Sequence, residues 1–118
     1  MRPRAAAALL AAVAVGLGAF GAHGLRERFL ADPRLGDWWE TATFYLLVHA
    51  LAATCLPSAI RWPRLLLLAG AAVFAGTLYA MALGAPRWLG AVTPIGGTML
   101  IVGWVMAAVA FAKEDSRD

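Results

Sequence analysis

The polar side chains best suited to chemistry in this sequence are Thr41, Tyr45 and His49, which lie within an apolar stretch. They recur every four residues, so on a helix they lie on one face. An ionisable histidine among apolar residues of a membrane segment is costly and indicates a partner or a function. We therefore expect this face to point towards neighbouring helices. Three interpretations of His49 stay open: a hydrogen bond that only stabilises packing, a proton or ligand role, and a metal or haem ligand role.

Four more polar residues are expected at one end of the molecule. His23 closes an apolar stretch, Glu40 precedes the stretch of His49, and Tyr79 and Thr93 lie in later stretches. Two have simpler explanations, because a histidine at a helix C-terminus interacts favourably with the helix dipole and a glutamate near a helix start can complete a capping box. The candidate polar or ligand site therefore opens towards residues 25–40 and comprises His49, Tyr45, His23, Thr41, Glu40, Tyr79 and Thr93.

The sequence carries no signature of an enzyme or of a resident cofactor. No serine lies in a GxSxG context, and no Walker or dinucleotide-binding motif occurs. Cys55 is the single cysteine, which excludes an internal disulfide, and we expect it to be a small buried residue. His23 and His49 are expected at depths that differ by roughly 9 Å, which disfavours a bis-histidine site. We expect no catalytic residue, no metal and no cofactor.

The charges of the chain are segregated by segment. All charged residues lie outside four uncharged stretches, residues 5–25, 41–60, 65–86 and 88–112. A water-soluble helical protein instead distributes charge along the outer face of each helix. About 20 apolar residues in a helix cross the roughly 30 Å hydrocarbon core of a bilayer. The pattern predicts an all-α integral membrane four-helix bundle with up-down-up-down topology. It forms one domain over residues 1–118, with spans of about residues 5–24, 38–57, 65–85 and 89–112.

The segment between the first two spans predicts a short interfacial helix. Leu25, Phe29 and Leu30 could form its apolar face. Asp37 and Glu40 are spaced as an N-cap and its partner three residues later, so the second long helix is expected to begin at residue 37. The adjoining tryptophans suit the level of the lipid headgroups.

Proline and glycine residues predict local features of the other spans. Pro94 removes a backbone donor, and Gly96 and Gly97 loosen the next turn, so a kink or a broken first turn is expected in the fourth span. Small residues four apart allow two helices to approach closely. Such seams are predicted at Ala14, Gly18 and Ala22 in the first span and at Ala72, Gly76 and Ala80 in the third.

The basic residues favour one orientation in the membrane. The N-terminus, the loop between spans two and three and the C-terminal tail carry six arginines and lysines, against four on the other side. The positive-inside rule then predicts that both termini lie in the cytoplasm. The first span also resembles a signal peptide, but its apolar run exceeds the usual length of about 7–15 residues. The net charge of +3 does not indicate nucleic acid, because arginines at span ends can reach phosphate headgroups of the lipid bilayer.

Four motifs in order resemble the domain-of-unknown-function 423 family of small four-span membrane proteins. They are GAFGAHGL (residues 18–25), WETATFYLLVHALA (39–52), FAGTLYAMAL (74–83) and LGAVTPIGGTMLIVGW (89–104). The family's third-span motif is similar to FSGSLY, and Ala75 and Thr77 stand at its serine positions. The resemblance implies a helical membrane protein, usually of the bacterial inner membrane. It implies no established activity, cofactor or catalytic residue.

Three classes of function are compatible with these observations. We expect first a structural or accessory membrane protein that packs with itself, as a homo-oligomer, or with a larger membrane complex. The alternative is a small-molecule, proton or lipid-handling protein with a polar site near His49, whose flux would depend on pH because histidine titrates near neutrality. A weaker alternative is a haem or metal carrier that uses His23 and His49.

Overall fold

The structure, a computed structural model, describes residues 2–117, and every regular element in this range is a helix. The all-α class is therefore confirmed. The elements are α1 (Pro3–His23), α2 (Arg26–Ala31), α3 (Pro33–Cys55), α4 (Arg61–Ala82), a 3₁₀ helix (Arg87–Ala91) and α5 (Thr93–Asp115).

Three segments are long and apolar enough to cross a membrane: α1, α4, and the 3₁₀ helix together with α5. The remaining long helix, α3, has 23 residues, which is also enough to cross a hydrocarbon core of roughly 30 Å. It is less apolar than the others because its sequence includes Glu40, His49 and several threonines. Length therefore does not separate α3 from the other long helices, whereas polarity does.

Helix α4 lies at the centre of the packing. It contacts both α3 and α5 along its length, while α1 packs mainly against α3 and the short α2 rests on α3. Within residues 2–117, α1 and α5 make no close backbone contact, and neither do α3 and α5. The position of α5 therefore depends on its interface with α4 and on the short 3₁₀ helix.

Glycines allow α4 and α5 to approach closely. A methyl group added at Gly96 would lie 2.5 Å from the backbone nitrogen of Phe74 and 2.8 Å from the carbonyl oxygen of Gly70. A methyl group at Gly103 would lie 3.0 Å from the Leu67 side chain. Gly96 and Gly103 share the buried face of α5 with Leu100. Small residues in close contact are a typical means of helix association in membranes.

The small-residue seam predicted in the third span is wrong. Ala72 and Gly76 are exposed, and a methyl group at Gly76 would meet no atom within 4 Å. Because α4 packs against two helices at once, its buried face is broad and is filled by other residues, among them Leu67, Gly70, Ala71, Ala75, Leu78 and Ala82.

The seam predicted in α1 is correct only in part. Ala14 is buried and Gly18 is half-buried. A methyl group added at Gly18 would lie 3.2 Å from the methyl carbon of the Thr43 side chain. Ala22 is exposed. The three buried residues of α1 are instead spaced by seven, at Ala7, Ala14 and Gly21. Two helices that cross at a small angle maintain contact at such a spacing.

One predicted helix start is wrong, and a proline explains it. Helix α3 begins at Pro33, four residues before the predicted start at Asp37, and Asp32 is its N-cap. The Asp32 carboxylate accepts a hydrogen bond from the backbone N–H of Arg34, and hydrogen bonds from the Arg34 side chain hold the pKa of Asp32 below its ordinary value. In the fourth span the predicted broken first turn is present, because a 3₁₀ helix precedes α5, which begins only at Thr93 with Pro94 in its first turn.

The short helix predicted after the first span is present as α2. Leu25 and Phe29 are half-buried, whereas Leu30 is 71% exposed, so the predicted apolar face is only partly covered. Cys55 was expected inside the packing, but it is exposed. It follows Leu51 by four residues on α3, and Leu51 is also exposed, so both residues lie on the outer face of that helix.

Candidate functional site

His49 is buried, with 6% of its surface exposed, and its hydrogen bond determines which nitrogen carries the proton. Its Nδ1 lies 2.6 Å from the carbonyl oxygen of Tyr45, one turn earlier on α3. A carbonyl oxygen can only accept, so we assign the proton of the neutral ring to Nδ1. The Nε2 atom is then an acceptor, for which the described part of the chain supplies no hydrogen-bond partner.

Aromatic rings surround His49. The ring of Tyr45 is stacked on the imidazole with centroids 5.8 Å apart. The ring of Trp104 from α5 packs edge-on against the imidazole, with centroids 6.0 Å apart. Tyr45 also contacts Phe74 of α4, with centroids 4.5 Å apart. His49 therefore lies where side chains of α3, α4 and α5 meet.

The predicted inward face of Thr41, Tyr45 and His49 turns gradually outward. His49 is buried, Tyr45 is 37% exposed and Thr41 is exposed. Since an α-helix has 3.6 residues per turn, residues four apart are displaced by about 40° around the axis at each step. Two such steps move Thr41 out of the interface that contains His49.

Two pairs of hydroxyl groups form hydrogen bonds inside the helix packing. The Thr43 Oγ1 and Tyr79 Oη atoms are 2.7 Å apart and join α3 to α4. The Thr77 and Thr93 Oγ1 atoms are 2.6 Å apart and join α4 to α5. Each hydroxyl also lies within hydrogen-bond distance of a carbonyl oxygen, Thr77 of Phe74 at 3.0 Å and Thr93 of Leu89 at 3.3 Å, so either can be the donor within the pair. Tyr79 and Thr93 thus have structural partners, and neither partner is a predicted site residue.

We expect the Thr43–Tyr79 hydrogen bond to be measurable as a coupling energy. Thr43→Val and Tyr79→Phe should each lower the free energy of unfolding by about 1 kcal/mol, and their coupling should be about 0.6–2 kcal/mol. The measurement is a double-mutant cycle in detergent. The matched control cycle combines Thr98→Val with Tyr79→Phe, because the Thr98 hydroxyl is exposed and bonds only within its own helix. Equal coupling in both cycles would contradict this assignment.

Trp39 links four elements of the fold. Its indole Nε1 donates a 2.7 Å hydrogen bond to the carbonyl oxygen of Leu17 in α1. Its ring packs edge-on against Tyr79 of α4, with centroids 4.5 Å apart, and also contacts Phe29 of α2. Trp39 was expected at headgroup level, but only 3% of its surface is exposed. Gly21 makes this possible, because any side chain there would overlap the indole ring.

A cleft lies between α1 and α3 beside Trp39. It has a volume of about 310 Å³, and its lining includes Glu40 and Thr43. Glu40 is exposed, and so is His23 at the end of α1. Of the seven predicted site residues, the described hydrogen bonds and ring contacts join only Tyr45 and His49 to each other. Tyr79 and Thr93 bond to other residues, and His23, Thr41 and Glu40 are exposed.

Sequence reasoning missed three arginines that bind helix ends. Arg4 donates a hydrogen bond to the carbonyl oxygen of Thr54, in the last turn of α3. Arg64 is only 3% exposed and donates hydrogen bonds to the carbonyl oxygens of Ala53, Leu56 and Pro57 where α3 ends. Arg28 donates a 2.8 Å hydrogen bond to the carbonyl oxygen of Ala82, where α4 ends. Cations stabilise the unpaired carbonyls and the negative end of the helix dipole. The sequence signal for this role is an arginine close to a predicted helix end. Many arginines lie at the edges of the spans, so this signal does not show which of them bind carbonyl groups.

The structure offers little for a metal. No group of three or more His, Cys, Asp or Glu side chains that could hold a metal ion occurs within the described residues. His23 lies exposed at the end of α1, whereas His49 lies in the interface around α4.

Comparison with known proteins identifies similar sequences. A family model described as "Protein of unknown function (DUF423)" matches residues 17–97. A UPF0382 membrane protein of Staphylococcus epidermidis is 42% identical over 113 residues, which cover 90% of this chain and 91% of the relative. The UPF0382 membrane protein C1782.12c of Schizosaccharomyces pombe is 40% identical, with 87% and 95% covered. No solved structure matches the chain. The family match confirms the resemblance carried by the four motifs.

Proposed function

Since this chain belongs to the DUF423 family, whose relatives are named membrane proteins, we propose that it is a structural or accessory membrane protein. In this proposal α1, α3, α4 and α5 each cross the bilayer, in up-down-up-down order. The protein packs with itself or with a larger membrane complex, and it does not act as an enzyme.

The contacts between successive long helices support four alternating crossings. In each pair, residues that lie later in one helix contact residues that lie earlier in the next, so successive long helices are antiparallel. Helices α1 and α3 show this pattern in the contacts Arg4–Thr54 and Leu17–Trp39. Helices α3 and α4 show it in Thr43–Tyr79 and Ala53–Arg64. Helices α4 and α5 show it in Gly70–Leu100 and Thr77–Thr93.

The polar residues of α3 do not oppose a crossing. Thr43 bonds to Tyr79, Thr54 donates to the carbonyl oxygen of Ala50, and His49 donates to that of Tyr45. A hydrogen-bonded polar group is far less costly in hydrocarbon than an unpaired one. Helix α3 can therefore cross although it is the most polar of the long helices.

The observation that carries the structural role is the completeness of the internal hydrogen bonding. Among the described residues, no side-chain nitrogen or oxygen that is fully buried lacks a hydrogen-bond partner. Binding sites for small molecules typically present a few convergent polar groups that a ligand can satisfy. In the interior of this protein such groups satisfy one another. Its polar chemistry therefore holds helices together.

The outer surface supports association within the membrane. Large apolar side chains of α1 and α5 are exposed, for example Val15 at 61%, Ile101 at 66% and Val105 at 58%. Both helices pack mainly against one neighbour, so each presents a wide apolar face to lipid or to another protein. The excess of basic residues at the end with both termini supports a cytoplasmic location of that end in a bacterial inner membrane.

A specific observation favours a second candidate function, the handling of a small molecule, proton or lipid beside His49. Since no fully buried polar atom lacks a partner, the unpaired Nε2 acceptor of His49 must be reached from the surface. The partly exposed Tyr45 and Trp104 adjoin it. A ligand with a hydrogen-bond donor and an apolar body would suit this place.

The substitution His49→Ala distinguishes the two functions. For a structural role we expect it to lower the free energy of unfolding by about 1–2 kcal/mol, because a hydrogen bond and aromatic contacts are lost. Retention of co-purifying partners or of the homo-oligomer should fall with it. Proton or solute flux in proteoliposomes should equal that of the unchanged protein. The control is Leu51→Ala, which alters a residue that is 59% exposed on the same helix.

Two outcomes would contradict the structural proposal. The first is a monomer in mild detergent that retains no partner after crosslinking in the membrane. The second is a flux that His49→Ala abolishes while Leu51→Ala leaves it intact. The second outcome would establish the alternative function.

A further inference from the structure

Arginines surround a cavity at the end of the molecule that holds both termini. The cavity has a volume of about 460 Å³ and lies between the start of α1 and the connection from α3 to α4. Within residues 2–117, no aspartate or glutamate lines it. Its lining residues are Arg2, Pro3, Arg4, Ser58, Arg61 and Arg64.

Among the described residues, no carboxylate pairs with the arginines of this cavity. Arg4 and Arg64 donate hydrogen bonds to backbone carbonyl oxygens, which are neutral, and Arg64 is almost fully buried. Within the described residues the one ion pair joins Arg34 to Asp32, at the opposite end of α3. A buried charge without a counter-charge is costly, so an anion in the cavity would stabilise the protein.

Two described carboxylates near the end of α5 do not line the cavity. Glu114 and Asp115 lie in the last turn of α5, are exposed and form no described ion pair. The cavity lining contains neither of them. An anion from outside the chain therefore fits this site better than a carboxylate of the chain itself.

An apolar groove adjoins the arginine cavity. It has a volume of about 400 Å³, and Arg61 lines both spaces. Its walls include Ile60, Val105 and Val109, and Lys113 lies at its end. A phosphate group suits arginine, whose planar guanidinium can donate two parallel hydrogen bonds to it. A free phosphate ion would leave the neighbouring apolar groove without a function.

We propose that this end of the protein binds one anionic phospholipid. The phosphate lies in the cavity with Arg2, Arg4 and Arg61, and an acyl chain follows the groove along α5. Basic pockets between membrane helices are suited to anionic lipid headgroups. The inference rests on the proposed bilayer crossings, because they place the cavity at the membrane surface, but it does not depend on an accessory role.

The test uses the full-length protein in a neutral detergent. Bound lipid is counted by native mass spectrometry after addition of phosphatidylglycerol or phosphatidylcholine at equal concentration. We expect about a tenfold preference for phosphatidylglycerol, with one lipid retained. The double substitution Arg2→Gln/Arg61→Gln should remove the preference. The matched control, Arg26→Gln/Arg87→Gln, changes two exposed arginines at the other end and should retain it.

Two further arms separate a lipid from a free phosphate ion. Val109→Trp places a large side chain in the groove and should weaken retention of phosphatidylglycerol severalfold. Inorganic phosphate at the same concentration should not displace the lipid. Displacement by phosphate, or unchanged retention in Val109→Trp, would overturn the proposal in favour of an anion site alone. Melting temperatures without lipid verify that each variant is folded.

The outcome also separates this inference from the proposed function. A detergent-solubilised protein that shows no preference for phosphatidylglycerol would overturn the lipid site and leave the membrane role intact. A chain that stays monomeric in water without detergent would overturn both. A preference that both double substitutions remove equally would reflect net charge and would also overturn the site.

Discussion

Replacing Gly96 by alanine is expected to destabilise this protein by about 2–3 kcal/mol. The added methyl group would lie 2.5 Å from the backbone nitrogen of Phe74 and 2.8 Å from the carbonyl oxygen of Gly70. Both are backbone atoms of α4, so no side-chain rotation can relieve the overlap. The two helices must separate, and contacts along the whole interface weaken. Because α5 makes close backbone contact with no other long helix in the described residues, we also expect α5 to detach first.

Glycine-to-alanine changes at neighbouring positions are the controls. A methyl group at Gly97 would lie 3.7 Å from the Phe74 ring, an ordinary contact, and one at Gly76 would meet no atom within 4 Å. Alanine favours a helix over glycine by about 1 kcal/mol, so both changes should be neutral or stabilising.

The measurement for these three variants is thermal unfolding in a mild detergent, with protease accessibility of α5 as a second readout. The expected order of stability places Gly96→Ala alone below the unchanged protein. A stability of Gly96→Ala equal to that of Gly97→Ala would show that α4 and α5 are not in backbone contact.

Replacing Trp39 by leucine is expected to lower the free energy of unfolding by about 2–4 kcal/mol. The change removes the indole hydrogen bond to the Leu17 carbonyl and leaves a void beside Tyr79 and Phe29. In a bilayer the transfer of apolar surface from water contributes little to helix association, so lost van der Waals contacts dominate this effect. Since Trp39 joins α1, α2, α3 and α4, its loss weakens several interfaces at once.

The chain offers matched controls for this substitution. Trp62 and Trp88 are 63% and 67% exposed, so Trp62→Leu and Trp88→Leu should change the stability little. Circular dichroism at helical wavelengths is the appropriate measurement, because tryptophan fluorescence changes with each substitution. If all three variants melted together, the central position of Trp39 would be disproved.

Membership in the family and the all-helical class followed from local information. When the charges are confined to short segments, the stretches between them are predicted to be long apolar helices, because hydrocarbon does not solvate charged side chains. The four motifs were sufficient to identify the family. The spacing of Asp37 and Glu40 predicts a start of α3 that is too late, because Asp32 caps this helix and Pro33 begins it.

The orientation of individual side chains was less predictable. The face of α4 with Ala72 and Gly76 has the composition of a helix contact and is nevertheless exposed, because composition does not specify which neighbour is present. Trp39 suited the membrane surface by type, yet the glycine at position 21 of another helix opens an interior place for it.

Backbone period and polarity alone were thus enough to establish that the chain is a helical membrane protein and which segments are its long helices. The pairing of Thr43 with Tyr79, the turn of Thr41 away from His49, and the collection of arginines around one cavity depend on the crossing and rotation of helices. Those quantities are set by contacts between residues distant in sequence. Small changes of rotation decide whether the same side chain faces a partner helix or the lipid.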